Sequence, residues 1–193
     1  MFNKLLSYIT RYIQLTDDET AFLVSLLKVK QLRRRQYLLQ AGDINKYECF
    51  VNSGCLRAYL IDEKGQEHVT QFAIEEWWIS DMHSYLTQTP SAYHIDALED
   101  SELVVIDRPN YELLLERIPK FEKMFRIILQ NAFIAQQQRI VQNISLPAHE
   151  RYLSFVQKYP KFEQRLPQHQ IASYLGITPE SLSRIRKQLA ERP

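Results

Sequence analysis

Two cysteines, Cys49 and Cys55, are all that the 193 residues contain. That is too few for an all-cysteine iron–sulfur cluster or a four-cysteine zinc site, and it excludes a small fold stapled by disulfides. Glycine is equally scarce, with four positions, none in a glycine-rich phosphate loop. No run approaches the roughly 18 uncharged apolar residues of a membrane helix. Residues 1–9 lack the apolar stretch and small-residue cleavage site of a secretory signal, so a cytoplasmic protein is expected. Neither metal-ligand spacing nor G-x-S-x-G occurs. The pairs Glu75-Glu76 and Asp17-Asp18 have the setting of a solvated loop and a helix start, so no catalytic residue, metal or cofactor is expected. His68, His83 and His94 are treated as ordinary polar residues.

What is present is an ordinary globular composition, 45% apolar and 24% charged, enough for one or two domains around a sizeable core. Gly42, Gly54 and Gly65 each stand beside a turn former at the spacing of consecutive short strands. Strand-like runs cover 48–52, 56–61, 68–73, 94–98 and 103–106. Their number and spacing predict a β sandwich or roll. Thr16-Asp17-Asp18-Glu19 has capping-box form ahead of Phe22, Leu23, Leu26 and Leu27, and Asp107 is placed to cap a second short helix.

From Pro119 to about Ser145 the chain has no further Gly or Pro. A helix there would be about 40 Å long. It carries two apolar stripes, Phe121, Phe125, Ile128, Ala132 and Ala135 on one and Ile127, Ile134 and Val141 on the other. Two apolar faces need two partners, here the β domain and the same helix of a second subunit. After Pro147, residues 148–159 predict a further helix with Tyr152, Leu153, Phe155 and Val156 inward.

The most informative stretch is 166–187, where two short helices flank Gly176. Ala172 is small where they approach, Gly176 supplies a positive φ, and Ile171, Leu175, Ile177, Leu182 and Ile185 make an inner face. Thr178 caps the second helix and Pro179 fits its first turn. This is a helix-turn-helix layout. Glu180, Ser181, Ser183 and Arg184 are then the candidates for reading base edges, with Arg186 and Lys187 for phosphates. Charge agrees: residues 1–145 sum to −3 and residues 146–193 to +4, which suits a polyanion at the C-terminal end.

In order and motif the chain resembles the Crp/Fnr family of bacterial transcription regulators. The stretch Ile171-Ala172-Ser173-Tyr174-Leu175-Gly176-Ile177-Thr178-Pro179-Glu180-Ser181-Leu182-Ser183-Arg184 carries the likeness, with Glu180, Ser183 and Arg184 on an E-x-x-S-R pattern. The resemblance implies an α+β fold: an N-terminal double-stranded β-helix, or β roll, of cyclic-nucleotide-binding type at 1–118, a long dimerisation helix at 119–145, and a helix-turn-helix domain at 146–193. It implies base reading by those three residues and phosphate contact by His169, joined by Thr178 at the turn. It also implies a homodimer, duplex DNA and RNA polymerase as partners, and an unspecified small-molecule effector.

Two departures modify that picture. Cyclic-AMP-binding members have a Gly-Glu pair and later an Arg-Ser pair, whose Arg neutralises the phosphate; here Ser80-Asp81 and Pro90-Ser91 stand instead. An anion buried without its cation is penalised by several kcal/mol, on the order expected for an unpaired charge, so cyclic AMP is not the expected ligand. Any small ligand is expected against Trp77, Trp78, Ser80, Asp81, Met82, Ser91 and Ala92, where the two indoles could stack on a planar group; the alternative for them is packing against the long helix. The chain also stops at Pro193. No room for a full β-hairpin wing is expected, with phosphate contacts falling on Arg186, Lys187 and Arg192. The competing reading is a ligand-binding sensor whose C-terminal helices contact protein rather than DNA.

Overall fold

The computed structural model describes residues 2–191, which leaves Arg192, expected to contact phosphate, outside the described residues. The chain divides into two compact units, residues 1–60 with 71–130, and residues 61–70 with 131–193.

In chain order the elements are α1 (Asn3–Ile9), α2 (Asp17–Leu26), β1 (Lys28–Leu32), β2 (Tyr37–Leu39), β3 (Tyr47–Ser53), β4 (Leu56–Ile61), β5 (Glu67–Ala73), β6 (Trp78–Ile79), α3 (Met82–Thr87), β7 (His94–Ala97), β8 (Ser101–Asp107), α4 (Arg108–Arg117), α5 (Lys120–Ser145), α6 (Ala148–Lys158), α7 (Phe162–Arg165), α8 (Gln168–Leu175) and α9 (Pro179–Ala190). The strands form two four-stranded sheets, ordered β1-β8-β3-β6 and β2-β7-β4-β5. Strand pairs such as β1 with β8, where Lys28 faces Val105, and β4 with β7, where Leu56 faces Ala97, are antiparallel. This is the expected β roll with flanking helices.

Alternation along the strands explains the first unit's core. On β3 and β8, Cys49, Val51, Leu103 and Val105 point into the roll, where they meet Leu39, Leu56, Ala58, Ile79, Ile95 and Ala97. Phe50, Val104 and Ile106, one residue out of step, point to the other face and pack on α1, α2, α4 and the start of α5 through Leu5, Ile9, Leu23, Leu114, Phe121 and Met124. Both cysteines are buried.

Local signals account for the element ends. Thr16 accepts from the Glu19 backbone N–H while the Glu19 carboxylate accepts from that of Thr16, completing a capping box. Asp107 caps α4 through the Asn110 N–H. Gly54 has φ +96°, and a Cβ there would stand 2.7 Å from the Asp100 carbonyl oxygen and closer still to the Ser101 hydroxyl. The β3–β4 turn therefore accepts only glycine without a backbone shift.

The second unit packs α6, α8 and α9 around Tyr152, Phe155, Phe162, Ile171, Ala172, Leu175, Leu182 and Ile185. Leu153 is exposed, contrary to the expected inward position. One residue turns a helix by about 100°, so Leu153 cannot share the face of Tyr152, Phe155 and Val156. The outer part of the β4–β5 hairpin is tied to the helices of this unit. Ser173 Oγ accepts from Val69 N–H at 2.9 Å and donates to the Glu67 carbonyl at 2.8 Å. Arg139 on α5 donates to the Thr70 carbonyl and lies over the Tyr174 ring.

One polar group in the first unit stands out. Glu48 on β3 is buried beneath α3 and α4, with the Ser80 hydroxyl donating to it and the Tyr85 and Tyr111 rings beside it. Burial pushes its carboxyl up to about 7, against a smaller lowering by Ser80. A folded-state pKa raised above the unfolded one means that the folded chain holds the proton longer. The associated stability is complete below about pH 4.5 and is lost as pH rises through 7. Thermal unfolding of the wild type is expected to lose on the order of 3 kcal/mol across that window, and Glu48→Gln should flatten the profile. An unchanged profile would remove Glu48 as its source.

Candidate nucleic-acid interface

The turn between α8 and α9 is built by short-range chemistry. Gly176 takes φ +65° and ψ 38°. Ile177 N–H donates to the Ala172 carbonyl at 3.0 Å and Gly176 N–H to that of Ser173 at 3.1 Å. These are the two bonds of a Schellman stop, which satisfies the last carbonyls of α8 and needs a left-handed residue. One residue later Thr178 begins α9, its hydroxyl accepting from Ser181 N–H at 3.2 Å, and Pro179 occupies the first turn. Ala172 is fully buried on α8, and Leu182 and Ile185 form the buried stripe of α9.

On the opposite face of α9, Glu180, Ser183, Arg184 and Lys187 are exposed. The Glu180 carboxyl is held below its usual range, first by its own backbone N–H at the helix start and then by Thr178 and Arg184. It is an ionised acceptor at neutral pH. Arg184, one turn further on, offers a planar donor fork. Lys187 reaches Glu191 at 3.9 Å across exposed surface, a weak pairing. His169 and Thr178 are exposed at the starts of α8 and α9.

The other named residues are placed differently. Ser181 is half-buried, on the flank of α9. Arg186 is half-buried too, and its Nε lies 3.3 Å from Oε1 of Glu163. Glu163 also accepts the hydroxyl of Tyr152. Glu163 is not among the candidates that the sequence offers. Helical projection carried the available signal, because Arg186 stands one turn from Leu182 and next to Ile185, off the open face.

The candidate ligand-lining residues do not make one surface, which corrects the expectation of a single pocket. Trp77 packs against the roll interior, whereas Trp78 packs on the helix side, 5.5 Å from Phe50 and 5.6 Å from Phe125 between ring centroids. Neighbouring residues of an extended chain point to opposite faces, so the two indoles cannot clasp one ring. Ser80 is turned to Glu48, Met82 is half-buried on α3, and Ala92 is exposed.

Asp81 and Ser91 are brought together. Asp81 caps α3 by accepting from Ser84 N–H, and Ser91 Oγ donates to its other oxygen at 2.6 Å. The Asn45 amide donates to the Asp81 carbonyl, and Asn45 N–H donates to Ser84 Oγ. Asp81, Ser84, Ser91 and Asn45 are all buried. Neither Asn45 nor Ser84 was singled out from the sequence; each carries an ordinary polar side chain whose use depends on contacts about 40 positions apart.

Comparisons with known proteins agree with this architecture. Residues 29–117 match the cyclic nucleotide-binding domain family. The chain is 24% identical over 169 residues to an anaerobic regulatory protein of Haemophilus influenzae, covering 81% of this chain and 64% of that protein. The chain thus spans less than two thirds of that relative's length. Among solved structures, FixK2 from Bradyrhizobium japonicum superposes with a TM-score of 0.74 at 15% identity, over 85% of this chain and 84% of that one. A transcriptional regulator of the Crp/Fnr family from Eubacterium rectale gives a TM-score of 0.71 at 17% identity, over 95% and 88%. At these identities the structures establish the fold.

Proposed function

We propose that this chain, a homologue of Crp/Fnr-type transcriptional regulators that carries a cyclic nucleotide-binding domain, is itself a cytoplasmic, homodimeric, sequence-specific DNA-binding regulator and not an enzyme. Among the described residues no helix is long and apolar enough to cross a membrane. In functional terms, residues 1–118 are the sensor roll, 119–145 the dimerisation helix and 146–193 the DNA-binding part. The observation that carries the reading is the open face of α9. A helix capped by Thr178, entered from the glycine stop of α8, presents Glu180, Ser183, Arg184 and Lys187 together on its exposed face.

Those groups divide by chemistry. Arg184 can donate to guanine O6 and N7, and ionised Glu180 can accept from a cytosine or adenine amino group, so both carry sequence information. His169, Thr178 and Lys187 are assigned to phosphates. Dimerisation is supported by the far half of α5, where Phe133, Ile134, Ile140, Val141 and Ile144 are exposed, Ile144 at 82%. Phe133 and Ile140, like Ile134 and Val141, stand seven apart, the repeat of a two-stranded helical seam. Its occupant is the same helix of a second copy, with RNA polymerase as a further partner of the DNA-bound dimer.

Cyclic AMP does not fit the residues present. Asp81 puts a buried carboxylate where an anionic ligand would have to bind, already satisfied by Ser91 and Ser84. No ion pair supplies a cation to Asp81 among the described residues, and Pro90 is exposed. A phosphate there would be desolvated with no cation to pair with it.

Three measurements follow. Arg184→Ala is expected to cost on the order of 1 to 3 kcal/mol per half-site and to relax preference at one base pair, whereas Lys187→Ala weakens all sequences alike and reduces the salt slope by about one. An operator library probed with both folded variants checks this; equal loss on every sequence for Arg184→Ala would reverse the assignment. Sedimentation at micromolar concentration should report a dimer, and Val141→Glu a helical monomer. Calorimetric titration with cyclic AMP should show no submicromolar binding; tight binding would refute the assignment of Asp81.

A further inference from the structure

Helical projection sorts the basic residues of α9 into two groups. Arg184 and Lys187 share the open face, while Arg186 lies on the flank beside the buried stripe of Leu182 and Ile185. There Arg186 meets Glu163 of α7 at 3.3 Å. The same carboxylate oxygen accepts the hydroxyl of Tyr152, which is buried on α6. One carboxylate therefore joins α6, α7 and α9. The side chains of Arg186 and Glu163 are 39% and 29% exposed. An ion pair so open to solvent is screened and contributes little stability. Its consequence lies in where it keeps the guanidinium, which is always charged and binds phosphate well when it is free to do so.

From this geometry we infer that Glu163 is a positioning residue of the DNA-binding surface: by holding Arg186 against Tyr152 it withholds one cation from the phosphate backbone. The inference rests on α9 being the DNA-contacting helix. Each Lys or Arg placed on a phosphate releases a counterion and steepens the salt dependence of binding, whatever the sequence. With Arg186 engaged by Glu163, α9 presents Arg184 to bases and Lys187 to phosphate, and its third basic residue is silent. Neutralising Glu163 converts Arg186 into a phosphate contact. A residue that merely braced the fold would not change the number of ions released.

The test is a salt series of the full chain on a fluorescent random-sequence duplex, followed by anisotropy. Glu163→Gln keeps the shape of the side chain and an acceptor for Tyr152 but removes the charge. It should bind about two- to fivefold more tightly at low salt, with a slope steeper by about one ion. Adding Arg186→Ala to it should cancel both changes. Arg186→Ala alone should leave the wild-type slope intact, as should Tyr152→Phe, which removes the other bond to Glu163 but leaves its charge. A Glu163→Gln slope equal to that of the wild type would overturn the inference. So would an Arg186→Ala slope shallower by about one, since Arg186 would then already be on the DNA. The Arg186→Ala arm decides the matter even where Glu163→Gln fails to fold. Absence of salt-dependent binding by the wild type would instead refute the DNA-binding reading, and the inference with it.

Discussion

Strands β3 and β8 have no solvent face, and the first unit is organised around that constraint. Cys49, Val51, Leu103 and Val105 are committed to the roll interior, and Phe50, Val104 and Ile106 to the helices outside. A strand buried on both faces is stable only if helices cover what the roll does not. This is why α1, α2, α4 and the first turns of α5 converge on one sheet. It also explains why a single polar residue on β3 matters. Glu48 shares the outer face with Phe50, cannot reach water, and is left with the Ser80 hydroxyl as its hydrogen-bond donor. Burial then favours the neutral acid, which is cheaper to desolvate than its anion.

The segment around α3 holds a second buried acid with different partners. Asp81 is buried as well, but it receives donors from Ser84 N–H and Ser91 Oγ, while Asn45 donates to the Asp81 carbonyl and to the Ser84 hydroxyl. Two buried acids within one domain thus have different supports, Glu48 one hydroxyl and Asp81 a cap and a hydroxyl. Asp81, Ser84, Ser91 and Asn45 are thus spent on one another, whereas the buried Tyr85 hydroxyl of the same helix has no hydrogen-bond partner among the described residues.

Much of this was legible in the sequence where the signal is local. The capping box at Thr16, the cap at Asp107, the turn at Gly176 and the start of α9 at Thr178-Pro179 each follow from side chains within a few residues of the backbone groups they satisfy. The strands with clear turn signals, β3, β4, β5, β7 and β8, were equally readable. What escaped had short length or distant partners. β2 and β6 have three and two residues, too few for a period to register. Reading Trp77 and Trp78 as one aromatic pair overlooks that adjacent residues on an extended chain face opposite ways, and Trp78 takes the alternative place, against Phe125 of the long helix. Grouping Arg186 with Lys187 by charge overlooks helical projection, and its carboxylate partner lies 23 positions away in the chain.

Position on an element, more than residue type, also decides the part played by Ser173. On α8 it has the look of a neutral surface residue, one of several in a short helix. Yet β5 is an edge strand, and an edge exposes N–H and carbonyl groups that need partners. Ser173 Oγ supplies both kinds at once, accepting from Val69 and donating to Glu67, while Arg139 takes the next carbonyl at Thr70 and rests on the ring of Tyr174, the neighbour of Ser173. A hydroxyl can do this because it is donor and acceptor together. An alanine there would leave two edge groups without these partners, and a larger polar side chain would not fit both bonds within 2.9 Å. The hairpin edge therefore fixes the rotation of α8 about its own axis. Through the Schellman turn at Gly176, that rotation sets the direction in which α9 leaves, and with it the face that carries Glu180 and Arg184.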